Sequence, residues 1–116
     1  MIIVGSTNAE VGIERGMDIL RNGGSAMDAV EATIRLVEDN PEDHTVGFNS
    51  YPNLLGELQL DASIMDGSTL ETGAVAAMSG YREAISIARK VKDVLPHVLL
   101  AGTGAERFAQ EMGFEH

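Results

Sequence analysis

The 116-residue sequence contains no cysteine and no tryptophan, and aromatic residues make up only 4% of it. Without thiols there are no disulfides, thiolate metal sites or cysteine nucleophiles. Basic residues are scarce too: eight lysines and arginines stand against 18 aspartates and glutamates, which gives a net charge of −10. Because this charge repels nucleic-acid phosphates and anionic lipid headgroups, we expect neither nucleic acid nor a membrane as a partner.

Long apolar runs are also missing. No stretch approaches the roughly 20 residues that span a bilayer, and the first residues, 1–4, lack the basic segment of a secretory signal. The hydrophobic fraction of 44% is ordinary for a globular protein. We therefore expect a single soluble domain over residues 1–116, located in the cytoplasm.

Hydrophobic periodicity predicts helices and strands in alternation. Helices are expected over residues 9–22, 26–37, 82–95 and 105–112. Strands are expected over residues 2–4, 58–64 and 73–78, with a strand or an extended link over 98–101. Ser25, followed three residues later by Asp28, is typical of a capping box at the start of the second helix. Gly23 and Gly113 are expected to end the helices that precede them.

This order of elements predicts an α+β fold, in which helices pack on a small antiparallel sheet. The strand over 73–78 consists mostly of small residues, so we expect other elements to cover both of its faces closely. Two or three strands make an incomplete sheet, and its edges would be open if the chain stood alone. We therefore expect another polypeptide to complete the fold.

Motifs of a self-contained active site are absent. The run 102–104, Gly-Thr-Gly, resembles the start of a dinucleotide-binding loop, but Arg107 stands where the third glycine belongs. We interpret this run as a turn into the last helix and expect no cofactor. His97 is interpreted as a helix-end residue. Asp61 and Asp66 are five residues apart on or near one strand, and this odd spacing sends them to opposite faces. It favours a buried, hydrogen-bonded Asp61 and a turn-forming Asp66 over an acid–base pair.

The densest acidic run, residues 38–43, is interpreted as a solvated helix end that continues into a loop. Its spacing lacks the alternating ligands and the central glycine of a calcium-binding loop. The three histidines show no metal-ligand spacing. No residue of this chain is therefore assigned a catalytic or metal-binding role.

Several blocks of sequence occur in the order of a known family. They are residues 23–31, 45–48, 52–53, 60–67, 73–77, 88–91, 97–100, 104–105 and 108–109. The most specific is Leu-Asp-Ala-Ser-Ile-Met-Asp-Gly at 60–67, followed by Gly-Ala-Val at 73–75. On these blocks the chain resembles the N-terminal, α-subunit portion of the glycosylasparaginase and plant-type asparaginase/isoaspartyl peptidase family of N-terminal-nucleophile hydrolases.

The resemblance implies a four-layer αββα fold made from one precursor that cuts itself before a threonine. The new N-terminal threonine of the β-subunit would be the nucleophile and, through its α-amine, the general base. The substrate would be the side-chain amide of asparagine, a β-aspartyl peptide or N4-glycosyl-asparagine. The resemblance also implies that the active-site groups lie on the β-subunit, that residues 1–116 stop before the cleavage site, and that αβ units pair into an (αβ)2 heterotetramer.

Two asparagines mark departures from the glycosylasparaginase pattern. Glycosylasparaginases resemble one another in a tryptophan that contacts the sugar, and Asn8 occupies that position in this chain. We therefore do not expect a substrate whose binding depends on its glycan. Asn49 follows the Val-Gly-aromatic block, where those enzymes have glycine, and is similar in place to an asparagine near the substrate in the asparaginase branch. For both residues a loop-stabilising role stays open. The alternative to an enzyme subunit is a truncated, non-catalytic interaction module of the same fold.

Overall fold

The computed structural model describes all 116 residues and contains four α-helices and one three-stranded sheet. The helices are α1 (Ile13–Arg21), α2 (Ala26–Glu38), α3 (Ala84–Val94) and α4 (Gly102–Glu111), and a 3₁₀ helix, Thr7–Val11, precedes α1. The strands are β1 (Leu60–Met65), β2 (Thr72–Met78) and β3 (Leu99–Ala101). The predicted α+β class is confirmed, but the sheet is mixed and not wholly antiparallel as predicted. No helix combines the length and the apolar composition needed to cross a bilayer.

Short-range sequence signals set the helix ends. The Asp28 N–H donates to the Ser25 hydroxyl at 3.0 Å, and the Ser25 N–H donates back to the Asp28 carboxylate at 3.3 Å, so the predicted capping box begins α2. Gly23 and Gly113 follow α1 and α4 with φ angles of 85° and 82°. These left-handed conformations suit glycine because it has no Cβ, and they end both helices as expected.

The sheet places β2 in the middle, with β1 antiparallel on one side and β3 parallel on the other. Residues 99–101 therefore form a strand and not merely a link. The parallel pairing results from the crossover through α3. The open edges belong to β1 and β3, because β2 is paired along both sides.

Helices α3 and α4 cover one face of the sheet. The core between them contains fourteen buried residues: Met27, Leu60, Ile64, Val75, Met78, Tyr81, Ala84, Ile85, Ile87, Ala88, Val91, Ala105, Phe108 and Ala109. Behind this layer, α2 packs on α3 and α1 packs on α2. The elements of this chain cover only one face of β2, so the close cover of its second face stays a prediction. Gly73, Val75 and Met78 face the helices, whereas Ala74 and Ala76 lie on the face that no helix covers.

Residues 2–4 do not form the predicted strand. They belong to no helix or strand, and Ile2 and Val4 are 83% and 87% exposed. Ile3 is half-buried and lies against α1, where its Cδ1 would be 2.7 Å from a Cβ placed on Gly16. The apolar, β-branched composition favours a strand, but a strand also needs a neighbour, and none of the strands of this chain pairs with this segment.

The approach of α3 to β2 gives a stability prediction at Gly73. A Cβ on Gly73 would overlap the Ala88 carbonyl oxygen and lie 2.6 Å from the Lys92 backbone nitrogen. Gly73→Ala should therefore push the helix away and lower the unfolding free energy by about 1–3 kcal/mol, the usual cost of overpacking. The measurement is the urea midpoint of the intact protein. The control is Gly67→Ala, in a turn where a Cβ meets nothing within 4 Å, and equal midpoints for the two variants would contradict the prediction.

Candidate functional site

The segment between α2 and β1 contains Asn49 and most of the acidic run singled out in the sequence, and Asn8 binds to it. We call residues 39–51 the site loop. Asp43 organises it: one carboxylate oxygen accepts hydrogen bonds from the Thr45 N–H (2.8 Å), the Thr45 hydroxyl (2.8 Å) and the Val46 N–H (3.0 Å), and the other accepts from the Asn8 amide (2.8 Å). These bonds, with the one from Asn8 foremost, hold the pKa of Asp43 well below its usual range. Asp43 is therefore an ionised anchor.

Asn8 ties the N-terminal segment to this anchor. Its amide nitrogen donates to Asp43 and lies 3.2 Å from the Thr45 hydroxyl, while its carbonyl oxygen accepts from the Ser6 hydroxyl at 3.1 Å. It also lines an apolar groove of about 330 Å³ whose walls come from residues 3–13, from α2 and from Val46. The side chain of Asn8 therefore makes the contacts of a loop-stabilising residue, which is the role that the sequence left open. A substrate-adjacent role for it stays a prediction.

Asn49 closes the same loop upon itself. Its amide nitrogen donates to the Pro41 carbonyl at 2.6 Å, and its backbone carbonyl oxygen lies 3.1 Å from His44 Nδ1. No hydrogen bond joins Asn49 to Asn8. The structure thus attaches both asparagines to one loop, at different points, and the substrate-adjacent role of Asn49 also stays a prediction.

Two charged contacts fasten the site loop to the start of α3. The Arg82 guanidinium lies 3.2 Å from the Asp39 carboxylate and 4.1 Å from the centre of the Phe48 ring. Stacking of a cation on an aromatic face adds to the ion pair. The loop is therefore held at Asp39, at Asp43 and at Phe48.

A polar cavity of about 370 Å³ lies between the site loop and β1. It is lined by Glu38, His44, Thr45, Val46, Gly47, Ser50, Tyr51, Gln59, Leu60 and Asp61. Neither Asn8 nor Asn49 is among these residues. Hydroxyl, carboxyl, amide and imidazole groups converge here, so this cavity can hydrogen-bond a polar ligand.

Glu38, at the end of α2, is the least expected member of the cavity wall. It is only 3% exposed, one carboxyl oxygen accepts the Ile85 N–H at 2.9 Å, and the other oxygen has no partner. Burial raises its pKa to about 8. The carboxyl thus takes up a free N–H in the first turn of α3, where a cap is otherwise missing.

The interpretation of residues 38–43 as a solvated helix end that continues into a loop is therefore right for Asp39, Glu42 and the partly exposed Asp43, and wrong for the buried Glu38. The signal for Glu38 was its position four residues after Ile34, where the apolar face of α2 continues. The signal for Asp43 was a threonine two residues later, a common turn pattern. In each case the deciding partner, Ile85 or Asn8, is distant in sequence.

The other candidate residues behave as structural groups. Asp61 accepts the Ala77 N–H at 2.7 Å, which confirms its hydrogen bond, but it is exposed and not buried as expected. Its partner lies in an irregular part of the β1–β2 pair, where Ala77 has a φ of 49°. Asp66 accepts the Ser68 N–H at 2.9 Å and forms the predicted turn. His97 is exposed beyond the end of α3, and no cluster of three or more histidine, aspartate or glutamate side chains is placed to hold a metal ion.

Comparison with known proteins agrees with the blocks found in the sequence. A family model described as asparaginase matches residues 6–116. The isoaspartyl peptidase/L-asparaginase of Mus musculus is 45% identical over 98 residues, which cover 84% of this chain and 30% of the relative. The plant-type L-asparaginase of Pyrococcus horikoshii is 50% identical over 91 residues, 78% of this chain and 30% of that protein. The N(4)-(β-N-acetylglucosaminyl)-L-asparaginase of Elizabethkingia miricola is 45% identical over 97 residues, 84% of this chain and 28% of that enzyme.

The chain therefore belongs to the family of plant-type asparaginases, isoaspartyl peptidases and glycosylasparaginases. It spans about three tenths of the length of these relatives. All three are named for hydrolysis of asparagine or aspartyl derivatives, so the family is one of hydrolases.

Glu38 gives a prediction on pH dependence. Its pKa is about 8 in the folded protein, against an ordinary value of 4.5, so the folded state binds more protons than the unfolded chain between these values. The unfolding free energy should therefore fall as pH rises through this window. Glu38→Gln keeps an acceptor for Ile85 and does not titrate. It should remove this contribution, whose limiting slope is about 1.4 kcal/mol per pH unit.

The measurement is the urea midpoint of the intact protein at a series of pH values across that window. Glu42→Gln, on the exposed part of the site loop, is the control and should keep the slope of the unaltered protein. If Glu38→Gln and the unaltered protein show the same pH dependence, Glu38 does not titrate as the structure indicates.

Proposed function

We propose that this chain is the α-subunit portion of a threonine-dependent amidohydrolase that cleaves the side-chain amide of asparagine, β-aspartyl peptides or N4-glycosyl-asparagine. Family membership supports the reaction class. The chain spans about three tenths of the length of these relatives, so we look for the reacting groups in a further polypeptide. This further polypeptide is the proposed β-subunit.

The observation that carries the proposal is the uncovered face of the sheet. Register places Ser63 opposite Ala74 and Ala74 opposite Leu99, so these residues share that face with Ala76 and Ala101. Leu99 is 55% exposed there. Small side chains allow a second layer to pack closely, and stacked sheets lie about 10 Å apart. A second sheet from the β-subunit on this face would give the four-layer αββα arrangement.

In the proposed reaction, the hydroxyl of an N-terminal threonine attacks the side-chain carbonyl carbon of the substrate, and the threonine α-amine takes up the hydroxyl proton. The carbon–nitrogen bond of the amide then breaks, and the amine or ammonia leaves with that proton. Water attacks the resulting ester, which releases aspartate and restores the hydroxyl. We assign none of these groups to residues 1–116, whose contribution is one half of the scaffold and the anchored site loop.

The first test of this proposal is assembly. Residues 1–116 alone should be unstable or aggregated, and co-expression with the downstream polypeptide should give a soluble (αβ)2 complex whose β-subunit begins with threonine, as read by N-terminal sequencing.

Ala74→Glu places a charge on the uncovered face and should abolish co-purification. Gln110→Glu adds the same charge at an exposed site on α4 and should not. A monomeric 1–116 chain with sharp, reversible unfolding would contradict the proposal, and a complex without threonine at that terminus or activity would favour the non-catalytic module.

The second test concerns substrate choice. With asparagine in place of an aromatic side chain at position 8, binding should not depend on a glycan. The assembled enzyme should therefore hydrolyse L-asparagine or a β-aspartyl dipeptide at least as well as N4-(N-acetylglucosaminyl)-asparagine, compared by kcat/KM. A strong preference for the glycosylated substrate would overturn this expectation.

The matched variants are Asn8→Trp and Asn8→Ala. Both lose the hydrogen bonds to Asp43 and Thr45, so the difference between them isolates the effect of the aromatic ring from that of a loosened loop. If position 8 lines the sugar site, Asn8→Trp should favour the glycosylated substrate selectively over Asn8→Ala. Equal selectivity of the two variants would place the sugar elsewhere.

A further inference from the structure

The junction between α1 and α2 contains a chemically distinctive pair, Asn22–Gly23. The chain has five asparagines, and this is the one followed by glycine. A residue without a Cβ leaves its backbone nitrogen open to approach, and a Cβ placed on Gly23 would meet nothing within 4 Å. Residues 21–23 are all exposed.

We propose that Asn22–Gly23 is a site of spontaneous deamidation that opens when the last turn of α1 frays. The backbone nitrogen of Gly23, after loss of its proton to water, attacks Cγ of Asn22. The bond from Cγ to Nδ2 breaks, and the nitrogen leaves as ammonia after taking up a proton. Water then opens the cyclic imide at either carbonyl, so one water is consumed, one ammonia is released, and residue 22 becomes aspartate or isoaspartate.

The closed structure holds both reacting groups away from this path. The Gly23 N–H donates to the Leu20 carbonyl at 3.2 Å, and the Asn22 side-chain amide donates to the Asp18 carbonyl at 2.8 Å. The Gly24 N–H donates to the Ile19 carbonyl at 2.8 Å and completes the cap. Each of these acceptors belongs to the last turns of α1 itself. Because helix ends open at low free energy, a brief local opening releases both groups together.

None of the other four asparagines is followed by glycine, and their side-chain partners do not belong to a helix end that can fray. The side chain of Asn8 is bound to Asp43, that of Asn49 to Pro41, and that of Asn53 to Gln59 and to two backbone N–H groups of its own turn. Asn40 is followed by a proline, which has no N–H to lose. In the folded protein, Asn22 should therefore deamidate before the other four asparagines.

Conversion would weaken the junction. A new carboxylate at the C-terminal end of α1 is unfavourable next to the negative end of the helix dipole. An isoaspartyl link also adds a methylene to the main chain and disrupts the geometry of the cap at Gly23. The modified chain should therefore hold α1 less firmly against α2.

The experiment is to age the intact protein in mildly alkaline buffer, folded and in urea, and to measure conversion at each asparagine by peptide mapping with mass spectrometry. Asn22 should convert first in the folded protein, and about tenfold more slowly there than in urea, as expected for an opening free energy near 1.4 kcal/mol. Asn22→Gln should show no conversion at this position on the same time scale. A folded rate at Asn22 no faster than that at Asn49, or equal to its own rate in urea, would overturn the proposal.

A variant at the residue before the Asn22–Gly23 pair tests whether fraying of α1 controls the reaction. Arg21→Gly lowers helix propensity in the last turn and should raise the folded rate about fivefold, the equivalent of roughly 1 kcal/mol, without changing the rate in urea. Arg21→Lys keeps helix propensity and is the matched control. An unchanged folded rate in Arg21→Gly would show that fraying does not control the reaction.

Discussion

The close packing of α3 against β2 is the contact on which the rest of the structure depends. Gly73 lets the helix backbone reach the strand, and Ile87, Ala88 and Val91 are completely buried as a result. The opposite side of α3 is tied to α2, because Arg89 lies 2.6 Å from Glu31 and 2.8 Å from Asp28. Helix α3 therefore connects the sheet to the helices behind it. A change in its distance from β2 would move both layers.

Two carboxyl groups five residues apart show how position decides the role of a charge. Glu38 is buried, has one hydrogen-bond donor and titrates near pH 8, so it is neutral at neutral pH. Asp43 is at the surface and accepts four hydrogen bonds, which keep it ionised. The first fastens the end of α2 to the start of α3, and the second fastens the site loop to the N-terminal segment. Glu38 therefore acts just before the site loop as a neutral group, and Asp43 acts within the loop as a charged hydrogen-bond acceptor.

The features that the sequence predicted correctly are those decided by neighbours within a few residues. The Ser25 capping box, the glycine helix ends, the alternation in β1 and the Asp66 turn all formed as expected. The features it predicted wrongly depend on distant partners. Residues 2–4 have strand composition but no neighbouring strand, and Glu38 is buried because α3 brings Ile85 to it. For the candidate site, the sequence located the loop, but the polar cavity depends on how that loop folds back on β1.

The parallel strand β3 has a consequence for the order in which the chain acquires its structure. β1 and β2 are joined by a short turn and can zip together early, because little chain entropy is lost in closing a small loop. β3 contributes only three residues, and it meets β2 only after the polypeptide has passed through the whole of α3. Its pairing closes a longer loop, so we expect it to follow the pairing of β1 with β2. The last part of the sheet to form is an edge strand, so a newly made chain exposes this edge of β2 longest and is most open to mispairing there.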